Sequence, residues 1–189
     1  MPTETGIFTE EDAKTGHLFS YRLAEYIAGI FKKTLPVYDY GCGPGSYLKY
    51  LNDVGFGHIT GIEGTEKIQM EVPVSMVLKK DLSQRLDLKL NAGNVMCIEV
   101  WEHLPKQFEQ PFLENITEHV IKGGFLVMSC AHEGQQGYGH VNTRPDWYVI
   151  EKIEDLGFIM EPQMTKNVRS VIEGHVAYLR ENLFVFRKI

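Results

Sequence analysis

The segment Val37-Tyr38-Asp39-Tyr40-Gly41-Cys42-Gly43-Pro44-Gly45 contains the pattern that decides the fold class. A short apolar strand leads directly into a turn with three glycines in five residues, and the next predicted strand ends at Glu63. Glycines allow a ligand to approach the backbone closely, and a carboxylate at the end of the next strand can accept hydrogen bonds from ribose hydroxyls. The pattern therefore predicts a site for an adenosine-type cofactor at the carboxyl ends of parallel strands.

The order Asp-x-Gly-x-Gly-x-Gly, from Asp39 to Gly45, resembles the class I methyltransferases that use S-adenosylmethionine (SAM). Nicotinamide enzymes carry G-x-G-x-x-G instead, with a pyrophosphate over the helix N-terminus. Here the third glycine follows Gly43 by only two residues, which suits a cofactor without phosphates. The resemblance covers residues 17–189 and implies an α/β fold: a doubly wound, mainly parallel, seven-stranded Rossmann-like sheet with an antiparallel last strand. Tyr40 departs from the family's usual small or aliphatic residue, which affects packing beneath the loop.

Hydrophobic periodicity and turn residues predict strands that alternate with helices along most of the chain. The predicted strands are 37–40, 58–63, 74–79, 93–99, 125–129, 158–160 and 183–187. The predicted helices lie within 17–33, at 46–54 and 110–121, and from a Thr143 cap to Gly157. Such alternation is typical of a parallel sheet covered on both faces. Residues 1–16 are polar and are expected to form a flexible N-terminal arm, and residues 17–189 the methyltransferase domain.

Composition and charge limit the possible partners. The net charge of −6 argues against sequence-independent binding of long nucleic acid, although it permits a local site for a nucleotide end. No apolar run is long enough to span a membrane, so no membrane partner is expected. Cys42, Cys97 and Cys130 are odd in number and widely spaced, which suits reduced thiols and predicts a cytoplasmic protein.

The resemblance implies a role for each residue of the predicted cofactor site. Asp39 would position the loop and the methionine end of SAM, Glu63 would bind the ribose, and Asp81 would contact the adenine amino group, with Leu82 beside the ring. The full predicted set is Asp39, Gly41, Cys42, Gly43, Gly45, Glu63, Asp81, Leu82 and Glu99.

The segment Cys97-Ile98-Glu99-Val100-Trp101-Glu102-His103-Leu104-Pro105 allows two interpretations. In many small-molecule methyltransferases a Glu-x-x-Glu-His string packs near the cofactor and binds no metal. In the small-RNA 3′-terminal 2′-O-methyltransferases a similar string holds a divalent ion with one further histidine, here His140 or His132. Carboxylates with imidazoles suit Mg²⁺ or Mn²⁺. We favour the metal-free interpretation and predict no metal ligand.

The loop from Ala131 to Asn142 follows the fifth predicted strand and carries polar side chains among glycines, which predicts an active-site lid. The methyl group of SAM is already activated by its sulfonium, so the protein chiefly has to align the acceptor. A base is needed only where the acceptor must lose a proton. We predict His140 as that base, with Glu102 or His103 as its partner.

The aromatic residues near the predicted site suggest a planar or partly apolar acceptor. Tyr21, Trp101, Tyr138 and Trp147 are expected to form an aromatic wall, with the lid loop and the helix around Phe19 covering the crevice.

The expected function is transfer of a methyl group from SAM to an oxygen or nitrogen of a small molecule. The alternatives are a metal-dependent 2′-O-methyltransferase that acts on an RNA end, a SAM-binding protein without turnover, and a nucleotide-binding oxidoreductase.

Overall fold

Seven strands form one mixed sheet in a computed structural model that describes residues 2–13 and 18–189. The strands are β1 Val37–Tyr40, β2 Ile59–Glu63, β3 Val77–Lys79, β4 Asn94–Cys97, β5 Phe125–Ser129, β6 Phe158–Met160 and β7 Leu183–Lys188. Their order is β3-β2-β1-β4-β5-β7-β6. The first five strands pair in parallel, and β7 runs antiparallel to both β5 and β6. The predicted fold class is confirmed.

Helices pack against both faces of this sheet. They are α1 Glu10–Ala13, α2 Tyr21–Ile30, α3 Ser46–Asp53, α4 Glu109–Glu118, α5 Asp146–Glu154, α6 Pro162–Val171 and α7 Leu179–Asn182. Successive strand residues point to opposite faces. Leu126 and Met128 of β5 therefore lie in the core shared with α4 and α5, whereas Val127 lies in the core shared with α2, α3 and α6. Because both faces are covered, the central strands are fully buried, as parallel sheets require.

The ends of several predicted elements need correction. The third strand begins only at Val77, because residues 74–76 form a 3₁₀ turn. The fourth strand ends at Cys97, since Glu99 has a φ of 56° that extended pairing does not accommodate. Thr143 does not cap the next helix. The N-cap of that helix is Pro145, and residues 142 and 144 on either side of Thr143 make backbone hydrogen bonds outside the helix.

Two helical regions also differ from the prediction. Ser20 caps α2, its hydroxyl accepting from Leu23 N at 3.0 Å, so this helix begins at Tyr21. The predicted start near His17 lies outside the described residues. The sequence did not suggest α6, because only Thr165 and Val168 of its ten residues are buried.

Candidate active site

The glycine loop between β1 and α3 has a backbone conformation that favours glycine. Gly41, Gly43 and Gly45 have φ values of 76°, 53° and 88°, a region that other residues rarely adopt. A Cβ at Gly41 would lie 2.4 Å from Val100 Cγ2, so the segment that follows β4 also leaves little room for a side chain here.

Glu63 at the end of β2 is bonded to this loop. Its Oε2 accepts from Gly43 N at 2.8 Å, and its Oε1 accepts from Thr65 N at 2.7 Å. Each carboxylate oxygen can accept more than one hydrogen bond. The carboxylate is therefore held in place and keeps acceptor capacity for a ligand hydroxyl.

Asp39 lies at the floor of the same region with one oxygen unsatisfied. Its side chain is 2% exposed, and Oδ2 has no hydrogen-bond partner among the described residues. Burial, and then the charge of Glu63, raise the pKa of Asp39 to about 8. Buried carboxylates are normally paired. A ligand that brings a donor or a positive charge would satisfy this group.

These groups open into a cavity of about 830 Å³, large for a small-molecule site. The predicted cofactor residues on its wall are Asp39, Gly41, Cys42, Glu63, Asp81, Leu82 and Glu99. Gly43 and Gly45 are not on the wall: Gly43 bonds Glu63, and Gly45 is the N-cap of α3. Of the predicted catalytic residues, His103 and His140 line the cavity, and Glu102 is buried outside its wall.

The N-terminal segment also contributes to the cavity, which the sequence analysis missed. Residues 5–8 and Glu11 line it. The ring of Phe8 meets the ring of His103 edge-on at 4.7 Å between centroids, and Thr65 Oγ1 donates to Phe8 O at 3.1 Å. The one sequence feature that could have indicated this contribution is the pair of adjacent apolar residues, Ile7 and Phe8, within a polar stretch.

Glu99 begins the second half of the site in a strained conformation. Its N–H donates to Ser129 Oγ at 2.7 Å, and the same hydroxyl donates back to Glu99 Oε1 at 2.7 Å. Asn182 Nδ2 donates to that carboxylate oxygen at 3.0 Å. A φ of 56° in a residue other than glycine costs on the order of 1–3 kcal/mol, and such strain concentrates at functional sites.

Glu102, His103 and His140 meet beside Glu99. Their nearest potential ligand atoms all lie within 4.8 Å of one another. Glu102 is fully buried, and its carboxyl oxygens make no well-formed hydrogen bond with the described residues, although the backbone N–H groups of Glu102 and Ala131 and the side chain of Glu99 lie near enough to influence its pKa. Burial, and then the charge of Glu99, raise the pKa of Glu102 well above its usual range.

The histidine hydrogen bonds indicate the tautomer of His140. A backbone carbonyl can only accept, so the 3.1 Å contact between His140 Nδ1 and Gln135 O assigns the proton to Nδ1. Neutral His140 then carries a lone pair on Nε2. His103 Nδ1 is likewise 3.2 Å from Gly139 O. His132 was the other candidate metal ligand, but it pairs with Asp146 at 3.0 Å and lies outside this cluster.

Glu109 fixes the loop that carries His140, a role that the sequence analysis did not predict. Its Oε2 accepts from Trp101 Nε1 at 3.1 Å, Asn142 Nδ2 at 3.2 Å and Arg144 Nη2 at 3.0 Å, and its Oε1 accepts from the Tyr148 hydroxyl. Burial raises the pKa of Glu109, but these hydrogen bonds outweigh burial and lower it overall.

The predicted aromatic wall is largely wrong. Tyr138 lines the cavity, but Trp101 is fully buried against Phe112. Tyr21 and Trp147 are exposed and do not line it. Of the predicted cover, Phe19 lies on the cavity wall but precedes α2, and no residue of α2 lines the cavity. The lid residues on the wall are Gln135, Gln136, Gly137, Tyr138 and His140.

Solved structures show what this architecture resembles. No protein-family model and no curated protein matches the chain. The chain is similar to a TehB-like SAM-dependent methyltransferase from Corynebacterium glutamicum: 20% identity, TM-score 0.63, covering 94% of this chain and 92% of that one. It is also similar to the CcbJ methyltransferase from Streptomyces caelestis: 14% identity, TM-score 0.66, covering 89% and 94%.

A third similar structure has a ligand bound. The magnesium protoporphyrin IX methyltransferase from Synechocystis, solved with bound S-adenosylhomocysteine (SAH), shares 14% identity at a TM-score of 0.62, covering 88% of this chain and 80% of that one. At such identities the likeness establishes the fold. The chain has the class I SAM-dependent methyltransferase fold, and the predicted resemblance is confirmed at that level.

Proposed function

We propose that this protein transfers a methyl group from SAM to an oxygen or nitrogen atom of a small molecule. The observation that carries the proposal is a pair of buried carboxyl groups beside the glycine loop. Glu63 accepts a hydrogen bond from Gly43 N, and Asp39 lines the same cavity and has one oxygen without a partner among the described residues. A fold alone does not define a reaction, so the proposal rests on this site.

The residues present fit SAM. Glu63 retains acceptor capacity for ribose hydroxyls, and Asp39 would satisfy its buried oxygen on the amino group of the methionine part. Asp81 and Leu82 lie on the cavity wall, where they would meet the adenine. Bound SAM supplies a methyl group on a positively charged sulfur. Alignment of the acceptor with that group is then the main task of the protein.

His140 is the proposed base for acceptors that must lose a proton. Its Nε2 lone pair follows from the Nδ1 contact with Gln135 O, and the imidazole lines the cavity. Its ring centroid lies 5.1 Å from that of His103, and Glu102 is the third residue of the cluster. We propose Glu102 and His103 as the residues that hold His140 in place.

Release of SAH on incubation with SAM and a panel of small-molecule acceptors tests this proposal. We expect release that depends on both SAM and an acceptor. SAM binding without release on any acceptor would favour a SAM-binding protein without turnover. Binding of NADH or NADPH in place of SAM would favour an oxidoreductase.

A second candidate function is metal-dependent methyl transfer to the 2′-hydroxyl of an RNA end. One observation favours it: potential ligand atoms of Glu102, His103 and His140 lie within 4.8 Å of one another, and the fully buried Glu102 carboxyl makes no well-formed hydrogen bond with the described residues. Together these groups would hold Mg²⁺ or Mn²⁺. Titration of the metal-free protein with Mn²⁺, followed by paramagnetic resonance, would show loss of the free-ion signal if they form a site. Unchanged SAH release in excess chelator would exclude a metal-dependent reaction.

We also propose domain boundaries and a cellular location for this protein. We propose residues 17–189 as the methyltransferase domain and residues 1–16 as its N-terminal arm. The described cysteines are all free and buried, which supports a reducing, cytoplasmic location. No helix in the described ranges has the length and apolarity needed to cross a bilayer.

A further inference from the structure

The charged side chains on the cavity wall all carry the same sign. Among the described lining residues the carboxylates are Glu11, Asp39, Glu63, Asp81 and Glu99, and there is no lysine or arginine. Asp39, Glu63 and Asp81 are assigned to SAM in the proposed function. Glu11 and Glu99 are therefore the described carboxyl groups of the wall that remain for the acceptor.

Two basic side chains near the cavity, among the described residues, are bonded to other groups. Lys79, which acts electrostatically on Cys42, donates to Thr65 O at 2.6 Å. Arg144, beside the lid, is bonded to Glu109 at 3.0 Å. Neither lines the cavity. A phosphate or carboxylate of the acceptor that lost its hydration beside Glu11 or Glu99 would therefore meet a like charge and no described lysine or arginine of the wall, an arrangement that disfavours binding.

Aromatic rings complete the part of the wall next to the histidines. Phe8 lies 6.2 Å from Tyr138 and 4.7 Å from His103 between ring centroids, and Tyr178 lines the same cavity. Aromatic faces attract cations through their quadrupole, and the attraction is stronger when the cation is desolvated. Aromatic rings beside carboxylates are complementary to an ammonium group attached to an apolar body.

We propose that the methyl acceptor is a small amine with an aromatic or apolar body, cationic in its resting form, and that it carries no phosphate or carboxylate group. The inference rests on the proposed methyltransferase function. It narrows the atom that receives the methyl group from an oxygen or a nitrogen to a nitrogen. It also disfavours an RNA end, whose phosphates would have to enter this acidic cavity.

The reaction balances without any further reagent. The ammonium form of the acceptor first gives one proton to His140 Nε2, which later releases it to water. The nitrogen lone pair then forms a bond to the methyl carbon as the carbon–sulfur bond breaks. The electron pair of that bond stays on sulfur, so neutral SAH leaves, and the positive charge passes to the methylated nitrogen.

A matched pair of probes tests the charge preference. The SAH-loaded protein is titrated by calorimetry with phenethylamine and, separately, with 3-phenylpropionate, which have similar skeletons and opposite charges. We expect the amine to bind at least about tenfold more tightly than the acid. Equal binding, absence of amine binding or preference for the acid would overturn the inference.

Two variants test whether the preference for the amine over the acid arises from this cavity. Glu99→Gln keeps the shape of the side chain and removes its charge, and it should reduce the preference for the amine severalfold. Glu151→Gln, at an exposed position of α5, should leave the preference unchanged. An unchanged preference in Glu99→Gln would contradict the assignment to this wall. Failure of SAH itself to bind would instead count against the proposed function, so the two failures are distinguishable.

Anion binding through a metal ion is a separate outcome. Phenyl phosphate is titrated with and without Mn²⁺. We expect no binding in either case. Binding of phenyl phosphate in the presence of Mn²⁺ would overturn the amine assignment and favour the RNA-end candidate.

Discussion

Two buried carboxylates in and beside the cavity have different environments. Glu63, beside the glycine loop, accepts two well-formed backbone hydrogen bonds, whereas fully buried Glu102, beside the histidines, makes no well-formed hydrogen bond with the described residues. A satisfied carboxylate indicates a site formed before its ligand arrives. An unsatisfied one is costly to bury and indicates a site completed by a proton, a cation or a substrate. We therefore propose the region around Glu63 as the cofactor region, which the ligand completes at Asp39, and the region around Glu102 as the acceptor region.

The largest effect should come from the acceptor region. His140→Ala should lower turnover by roughly 10²–10⁴-fold, the range for loss of a general base, and leave SAM affinity nearly intact. Steady-state SAH release and calorimetry measure the two quantities. His132→Ala, in the same loop but outside the cluster, is the control and should retain most activity. Equal loss of turnover and SAM affinity would make His140 a cofactor-positioning residue and remove the contrast between the two regions.

The cofactor region should respond in the opposite way. Glu63→Ala should weaken SAM binding by about 1–3 kcal/mol, because charge-assisted hydrogen bonds are lost and Gly43 N loses its acceptor. Calorimetric titration with SAM measures the change. Glu66→Ala, exposed three residues later, is the control. Unchanged affinity in Glu63→Ala would exclude the ribose assignment.

Glu109 links the lid to the acceptor region, and its effect should be intermediate. Glu109→Gln should lower the free energy of unfolding by about 1–2 kcal/mol, since the ion pair with Arg144 is lost. It should also lower kcat severalfold without changing the KM for SAM, because the loop that carries His140 loosens. Urea denaturation and steady-state kinetics measure these effects.

Glu114→Gln is the control for Glu109, since Glu114 lies on the same helix and is half-exposed. Similar kinetic changes in both variants would show that Glu109 has no specific role in positioning the lid.

The last prediction concerns the ligand-free protein, as a pH dependence of stability from Asp39. Its pKa is raised to about 8 by burial and by Glu63, so the folded state keeps a proton that the unfolded chain releases above about pH 4. The free energy of unfolding of the ligand-free protein should therefore fall as the pH rises from about 4 to 8. Asp39→Asn should flatten this profile by roughly 3 kcal/mol between pH 5 and 7.5, at about 1.4 kcal/mol per pH unit.

Asp155→Asn, at an exposed position, should keep the wild-type slope. Urea denaturation at several pH values measures all three proteins. Parallel profiles for the wild type and Asp39→Asn would contradict the assignment of this proton to Asp39.

The cofactor region was readable from the sequence because its determinants are local. One short stretch of sequence contains strand β1, the three glycines and the end of β2. The spacing of these features along the chain was therefore enough to predict that they lie together. The alternation of strands and helices likewise predicted the sheet. The end of β4 was misplaced because nothing in the sequence marks Glu99 as a residue with positive φ.

The acceptor region depends on contacts between distant parts of the chain. Phe8 meets Thr65 and His103, and Glu109 collects donors more than thirty residues away. No periodicity or spacing encodes such pairs. The predicted aromatic wall was wrong for the same reason: Trp101 follows a strand at the correct edge, but its indole turns inward to Glu109.

Calorimetric titration of the purified protein with SAM tests the central claim most directly. We expect saturable binding of one SAM per chain and a weaker interaction in Glu63→Ala, with no heat from NADH or NADPH beyond dilution. Absence of SAM and SAH binding to the folded wild-type protein, or saturable binding of a nicotinamide cofactor instead, would contradict the assignment of the glycine loop, Asp39 and Glu63 to a SAM site.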